Sequence, residues 1–140
     1  MRFWDSSAVV PLLVGEPATA ERERQLRADP AMLVWWGTPV ECASALQRLV
    51  REGALRAVDA RAAEARLRQL ERRWAEVEPT QHVRTQAGRL LRLHPLRAAD
   101  ALQLAAALVA CHHDPATLAF RTADQRLAEA ARREGFPVEA

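Results

Sequence analysis

The stretch LHPLRAADALQLAAALVAC, residues 93–111, constrains the fold more than any other part of the chain. From Ala98 to Cys111 it reads as a helix, with Ala, Leu and Val around nearly its whole circumference. A helix that is apolar on every side is normally buried. Yet it opens on Asp100, a carboxylate that is costly to bury unless something pairs with it. The fold has to cover the helix and also give the acid a use.

Shorter patterns surround this helix. MRFWD reads as a strand ending at Asp5, and SSAVVPLLV begins a helix. PATAERERQLRAD is a polar helix ended near Pro30, and AMLVWW is the next strand. GTPVECASALQRLVREG is a helix that stops at Gly53, and VDARAAEARLRQLERRWAEV reads as a longer one, with VEP as a brief extended segment. TQHVRTQAGRLLRL is a helix, TLAF a strand, ADQRLAEAARREG a helix and FPVEA a last strand. Strands alternating with helices predict an α/β domain with a mostly parallel sheet. The 140 residues suit a single domain over 1–140 with one core.

Several function classes fall away on composition. At 49% hydrophobic and 27% charged residues the chain is globular, not a disordered tail. No apolar run approaches the roughly 20 residues that span a bilayer, and MRFWDSSAVV lacks the pattern of a secretion signal. A cytoplasmic protein with no membrane contact is expected. Cys42 and Cys111 are too few and too far apart for a disulfide framework or a zinc motif, and each suits a buried helix face. Net charge is only +2, although all 20 basic residues are Arg. That permits phosphate contacts, while a GC-rich coding bias would give the same preference.

In a parallel sheet the loops leaving the strand ends gather at one edge, where ligand sites collect. Asp5 follows the first strand, Glu41 the second and Asp124 the TLAF strand. Each has a structural reading. Asp5 and Asp124 can cap the helices that follow, with Thr122 as an alternative cap. Thr38, Pro39 and Glu41 form a capping-box pattern. Against that last reading, helical spacing sets Glu41 opposite Ala43, Leu46 and Val50, away from the expected buried side. Asp100 is harder to dismiss, because Leu102, Leu104, Ala105 and Leu108 leave its helix little solvated face. Acids brought together repel, so one stays protonated or a cation is held. Carboxylates without His or thiolate partners suit Mg²⁺ or Mn²⁺, and helix starts beside them suit a phosphate.

The ordered segments FWDSSAVV, TPVECASALQRL, LRAADALQLAAAL and FRTADQRLAEAARREGF resemble the PIN-domain ribonucleases, in particular the VapC toxins of toxin–antitoxin pairs. The most specific pieces are Arg97–Asp100–Ala101 and Phe120–Thr122–Asp124–Leu127–Gly135, and the likeness spans essentially the whole chain. It implies a three-layer α/β/α fold with a mostly parallel five-stranded sheet, and divalent-metal-dependent endonucleolytic cleavage of RNA, of the tRNA or rRNA class. It also implies restraint by an antitoxin and a homodimer. By the same resemblance Asp5, Glu41, Asp100 and Asp124 form the catalytic quartet. Asp5 and Asp100 would be metal ligands for Mg²⁺ (or Mn²⁺), Glu41 would aid the metal or orient water, and Thr122 would hold the pocket or contact substrate. The region from Arg56 to Arg92 matches no specific motif.

Other features carry weaker expectations. On the helix from Val58 to Trp74, Arg61, Arg68 and Arg72 align opposite Ala63, Leu67, Leu70 and Trp74. That face is either a phosphate surface or a plain solvated one with Glu64, Glu71 and Glu76 as partners. Trp36 could stack on a base, but strand aromatics more often enter the core. CHHD, residues 111–114, invites a zinc reading; adjacent histidines point apart, and contact with a helix C-terminus is the expectation taken. Ser6 and Ser7 lack a triad histidine. An aspartyl-phosphate phosphatase is disfavoured, since DSS has no second Asp and no Gly-rich phosphate loop is present. The competing reading is a catalytically weak PIN module that binds RNA or a protein.

Overall fold

The computed structural model describes residues 1–139. Strands β1 (Arg2–Trp4), β2 (Met32–Trp35), β3 (Ala75–Val77), β4 (Phe120–Arg121) and β5 (Val138–Glu139) form one sheet in the order β3-β2-β1-β4-β5. Every pairing is parallel. Alternation along β1 sends Phe3 to one face and Trp4 to the other. Phe3 stacks on Phe120 and joins Trp35 and Val77 in a core covered by α5 (Gln81–Leu93), α6 (Ala98–Ala110) and α7 (Gln125–Glu134). Trp4, Met32 and Val34 meet α1 (Ser6–Val9), α3 (Thr38–Arg51) and α4 (Ala57–Glu71) on the other face, with α2 (Thr19–Ala28) at its margin. The result is a three-layer α/β/α fold.

Helix α6 takes the central place that its sequence demands. Ala101 and Leu104–Ala107 are fully buried between the sheet and α5. Helix α5 runs antiparallel to it, joined at one end by the His94–Leu96 turn and touching at the other through His82 and His113. Among the described residues no helix is long and apolar enough to cross a membrane.

The long helix expected from Val58 to Val77 is cut short. Helix α4 stops at Glu71, and Ala75–Val77 become the edge strand beside β2 instead of the expected extended VEP. Ala and Glu favour helix, but the open backbone groups of β2 take this segment as their partner. The TLAF strand also begins late: Pro115–Thr117 form a 3-10 turn, and pairing starts at Phe120. Trp36 is not in the core. It is 52% exposed, just past the end of β2, against the edge of the buried Trp35. Gly135 ends α7 with φ +102, in the left-handed region a side chain avoids.

His112 and His113 follow the α6 C-terminus with positive φ. His113 Nε2 lies 2.8 Å from Nε2 of His82, a pairing across α5 and α6 that the spacing in sequence could not reveal. Cys42 and Cys111 are buried free thiols.

Candidate active site

Because all strands run one way, the segments following β1, β2 and β4 leave the same edge of the sheet. Asp5 is the first residue past β1 and is only 2% exposed. Its Oδ1 accepts from the Ala8 amide (3.2 Å) and the Ser7 hydroxyl (2.7 Å), and its Oδ2 from the Thr122 hydroxyl (3.0 Å). The same two hydroxyls accept from the next turn: Ser7 Oγ from the Ala123 amide (2.9 Å), Thr122 Oγ1 from the Asp124 amide (3.0 Å). Thr122 therefore joins the turns after β1 and β4, and it does not cap α7. Asp124 does, its Oδ1 accepting from the Leu127 amide at 3.0 Å. For Asp5 and Asp124 the capping and site readings coexist, since each cap fixes the direction of a carboxylate.

Glu41 departs from the sequence expectation. The capping box does not form: Gly37 occupies the cap position, and Thr38 lies inside the first turn, fully buried. The buried ridge of α3 is Thr38–Cys42–Leu46, so Glu41 stands beside it and not opposite. Both Thr38 and Glu41 are held by a residue the sequence reading passed over. Gln103 Nε2 donates to Thr38 Oγ1 at 3.0 Å and to Glu41 Oε2 at 2.8 Å. Ser6 Oγ donates to Glu41 Oε1 at 3.3 Å. The available signal was a lone amide in an apolar helix, three residues after Asp100 and hence on its face.

Three of the acids are shifted by burial and by neighbouring acids. Burial pushes Asp5 up to about 6; the hydrogen bonds from Ser7, Ala8 and Thr122 pull it back, and the charge of Asp124 raises it further. Burial likewise pushes Glu41 up to about 7, against the bonds from Gln103 and Ser6 and with the charges of Asp5 and Asp100. Asp100 is raised by burial and by Asp124, while the Arg97 amide and the charges of Arg97 and Arg126 oppose the shift. Helix α6, which follows no strand directly, thus brings its first-turn acid to the edge used by the other three.

Two depressions flank the buried Asp5. One, of about 420 Å³, is lined by Ser6, Ser7, Glu41 and Arg48; the other, of about 500 Å³, by Arg97, Asp100, Asp124 and Arg126. None of these three arginines forms a salt bridge among the described residues. Arg61, Arg68 and Arg72 are exposed on α4 and α4's end, and they line neither depression.

The donor chemistry fits a hard divalent cation: the four side chains offer oxygen donors only, and Asp5, Glu41 and Asp100 are raised in proton affinity by burial and by neighbouring acids, which a bound cation relieves. The spacing is open, however. Among the described residues no three His, Cys, Asp or Glu side chains already enclose one point.

A family model described as PIN domain matches residues 2–133. Solved structures share the fold: PAE2754 from Pyrobaculum aerophilum has a TM-score of 0.67 at 20% identity, over 92% of this chain and 83% of that one. A toxin–antitoxin complex from Klebsiella pneumoniae and FitAcB from Neisseria gonorrhoeae each give 0.67 at 18% identity, over 100% of this chain and 97% of theirs. No curated protein sequence matches.

Proposed function

The chain belongs to the PIN domain family, and from that premise we propose that it is a divalent-metal-dependent endoribonuclease acting as the toxin of a toxin–antitoxin pair. PIN domains are generally nucleases. The observation that carries the reading is the gathering of Asp5, Glu41, Asp100 and Asp124 at one sheet edge, where Asp5 and Asp100 are raised by the charge of Asp124 and Glu41 by the charges of Asp5 and Asp100. One of the structures sharing the fold is a toxin–antitoxin complex, which supports an antitoxin partner.

Asp5 and Asp100 would hold Mg²⁺ or Mn²⁺, with Asp124 completing the site. When bound, such an ion supplies Lewis acidity toward the scissile phosphate and its leaving oxygen. The chain's own groups do the rest. Glu41, pushed up to about 7, would aid in holding the cation and orient a water near neutral pH. Thr122, Ser7 and the Ala8 amide hold Asp5 in one orientation. Arg48, Arg97 and Arg126 stand beside the acids to receive neighbouring phosphates, and Arg61, Arg68 and Arg72 offer a second basic face farther along the chain. The substrate is an RNA of the tRNA or rRNA class. A homodimer, a cytoplasmic location and an antitoxin segment covering the acidic edge complete the proposal.

One alternative uses the same arginines beside the acids: a PIN module that binds RNA or a protein partner without turnover. The test is incubation of the pure protein with mixed tRNA and rRNA in Mg²⁺, Mn²⁺ or EDTA. Discrete fragments that require metal, and vanish with folded Asp100→Ala, support the nuclease. Retention of RNA without cleavage supports the module instead.

A further inference from the structure

Helices α3 and α6 belong to opposite layers. Helix α3 packs in the core containing Trp4, and α6 in the core containing Phe3. Glu41 rides on the first and Asp100 on the second, so their relative position depends on whatever joins the layers at this edge. Gln103 makes that join. It is 1% exposed, and both protons of its Nε2 are committed across the layers, to Thr38 and Glu41.

The amide's orientation is fixed by chemistry. Turned the other way, Oε1 would face the Glu41 carboxylate, the form a cation would engage, and could donate nothing to it. In the orientation found, Oε1 is buried with no partner among the described residues, which costs stability. A residue serving packing alone would be apolar here, as its neighbours Leu104 and Ala105 are. A buried amide kept with one end unsatisfied points to a task for the other end.

We infer that Gln103 is a positioning residue: by clamping Glu41 Oε2 from the turn that also carries Asp100, it sets the spacing of those two carboxylates across the layers. The inference rests on the cation-binding reading above. It predicts that this spacing, and with it cation affinity, is lost when the donor is removed while the shape is kept.

The experiment compares Mn²⁺ dissociation constants, by electron paramagnetic resonance of free Mn²⁺, for wild type, Gln103→Met, Glu41→Gln and the double variant. Gln103→Met should weaken Mn²⁺ binding about 10-fold, the lower end for partners of metal ligands, and lower kcat with little change in KM. In the Glu41→Gln background the same change should have little further effect on Mn²⁺ affinity, because the clamped carboxylate is gone. Equal affinity in wild type and Gln103→Met, or an equal loss in both backgrounds, overturns the positioning role alone. Wild type that binds no Mn²⁺ overturns it together with the metal-dependent reading. Should Gln103→Met not fold, the side-chain amide resonances of Gln103 answer in wild type. They should shift on Mg²⁺ addition and stay fixed in Glu41→Gln, and unmoved resonances in Mg²⁺-bound wild type refute the clamp.

Discussion

Asp5→Asn should make the metal-free protein more stable at neutral pH, although it removes a residue of the proposed active centre. Asp5 is 2% exposed, and burial carries it from 3.8 to about 6. A shift of about 2 units corresponds to about 3 kcal/mol. The sign follows from proton counts. Between about pH 4 and about pH 6 the folded state binds more protons at this site than the unfolded chain, so stability falls as pH rises through that window. Above it the folded protein carries the full cost of a buried charge. Glu41, raised from 4.5 to about 7, contributes a decline of the same sign reaching higher pH. Asp29 and Glu134 are shifted down and act oppositely, in the acid range below their ordinary values. Asparagine keeps the acceptor for Ala8 and Ser7, and the Thr122 hydroxyl can turn to accept from the new amide. The expected gain is about 1–3 kcal/mol near pH 8, shrinking to roughly half near pH 5. Urea unfolding in EDTA at both pH values measures it, with an unchanged slope confirming that only stability has moved. A variant no more stable than wild type near pH 8, or a gain independent of pH, would refute the burial argument.

Three further outcomes are expected. Neutralising Arg97 and Arg126 should lower RNA affinity and reduce the salt slope by roughly 0.7 per lost phosphate contact; filter binding over a salt series checks this, and an unchanged slope removes them from the RNA path. Leu104→Ala, at a fully buried position of α6, should cost about 2–5 kcal/mol in chemical denaturation. Gly135→Ala forces a side chain to φ +102 with its Cβ 3.1 Å from Pro115 Cγ, and should cost about 1–2 kcal/mol, read as a lowered Tm.

Most of the fold is legible in the sequence because its cues are local. Helix α6 announces its burial by composition, and β1 and β2 by short apolar runs leading to Asp5 and to the turn before Glu41. Edge strand β3 is not legible: Ala75 and Glu76 favour helix, and only the open side of β2 makes them extended. The late start of β4 has a similar cause, in the turn that Pro115 begins. Within the site, Asp5 and Asp124 are visible from their places after strands, whereas Asp100 reaches the edge through the α5–α6 hairpin, which no periodicity encodes. Thr38 looks like a cap because its spacing to Glu41 is right; its hydroxyl instead accepts from Gln103, 65 residues away. Gln103 itself is conspicuous as the one amide in an apolar helix, but its partners come from the opposite layer. Trp36 misleads because it continues the apolar run of β2 one residue past the last pairing, where the chain turns outward.

The proposed nuclease needs the acids at this edge to hold a divalent cation. Diffraction from crystals grown with Mn²⁺, recorded near the manganese absorption edge, tests it most directly. The expected result is an anomalous peak ligated by carboxylate oxygens of Asp5 and Asp100, absent from crystals of Asp100→Ala. Manganese bound elsewhere, or no peak among these acids at a concentration that supports RNA cleavage, would contradict it.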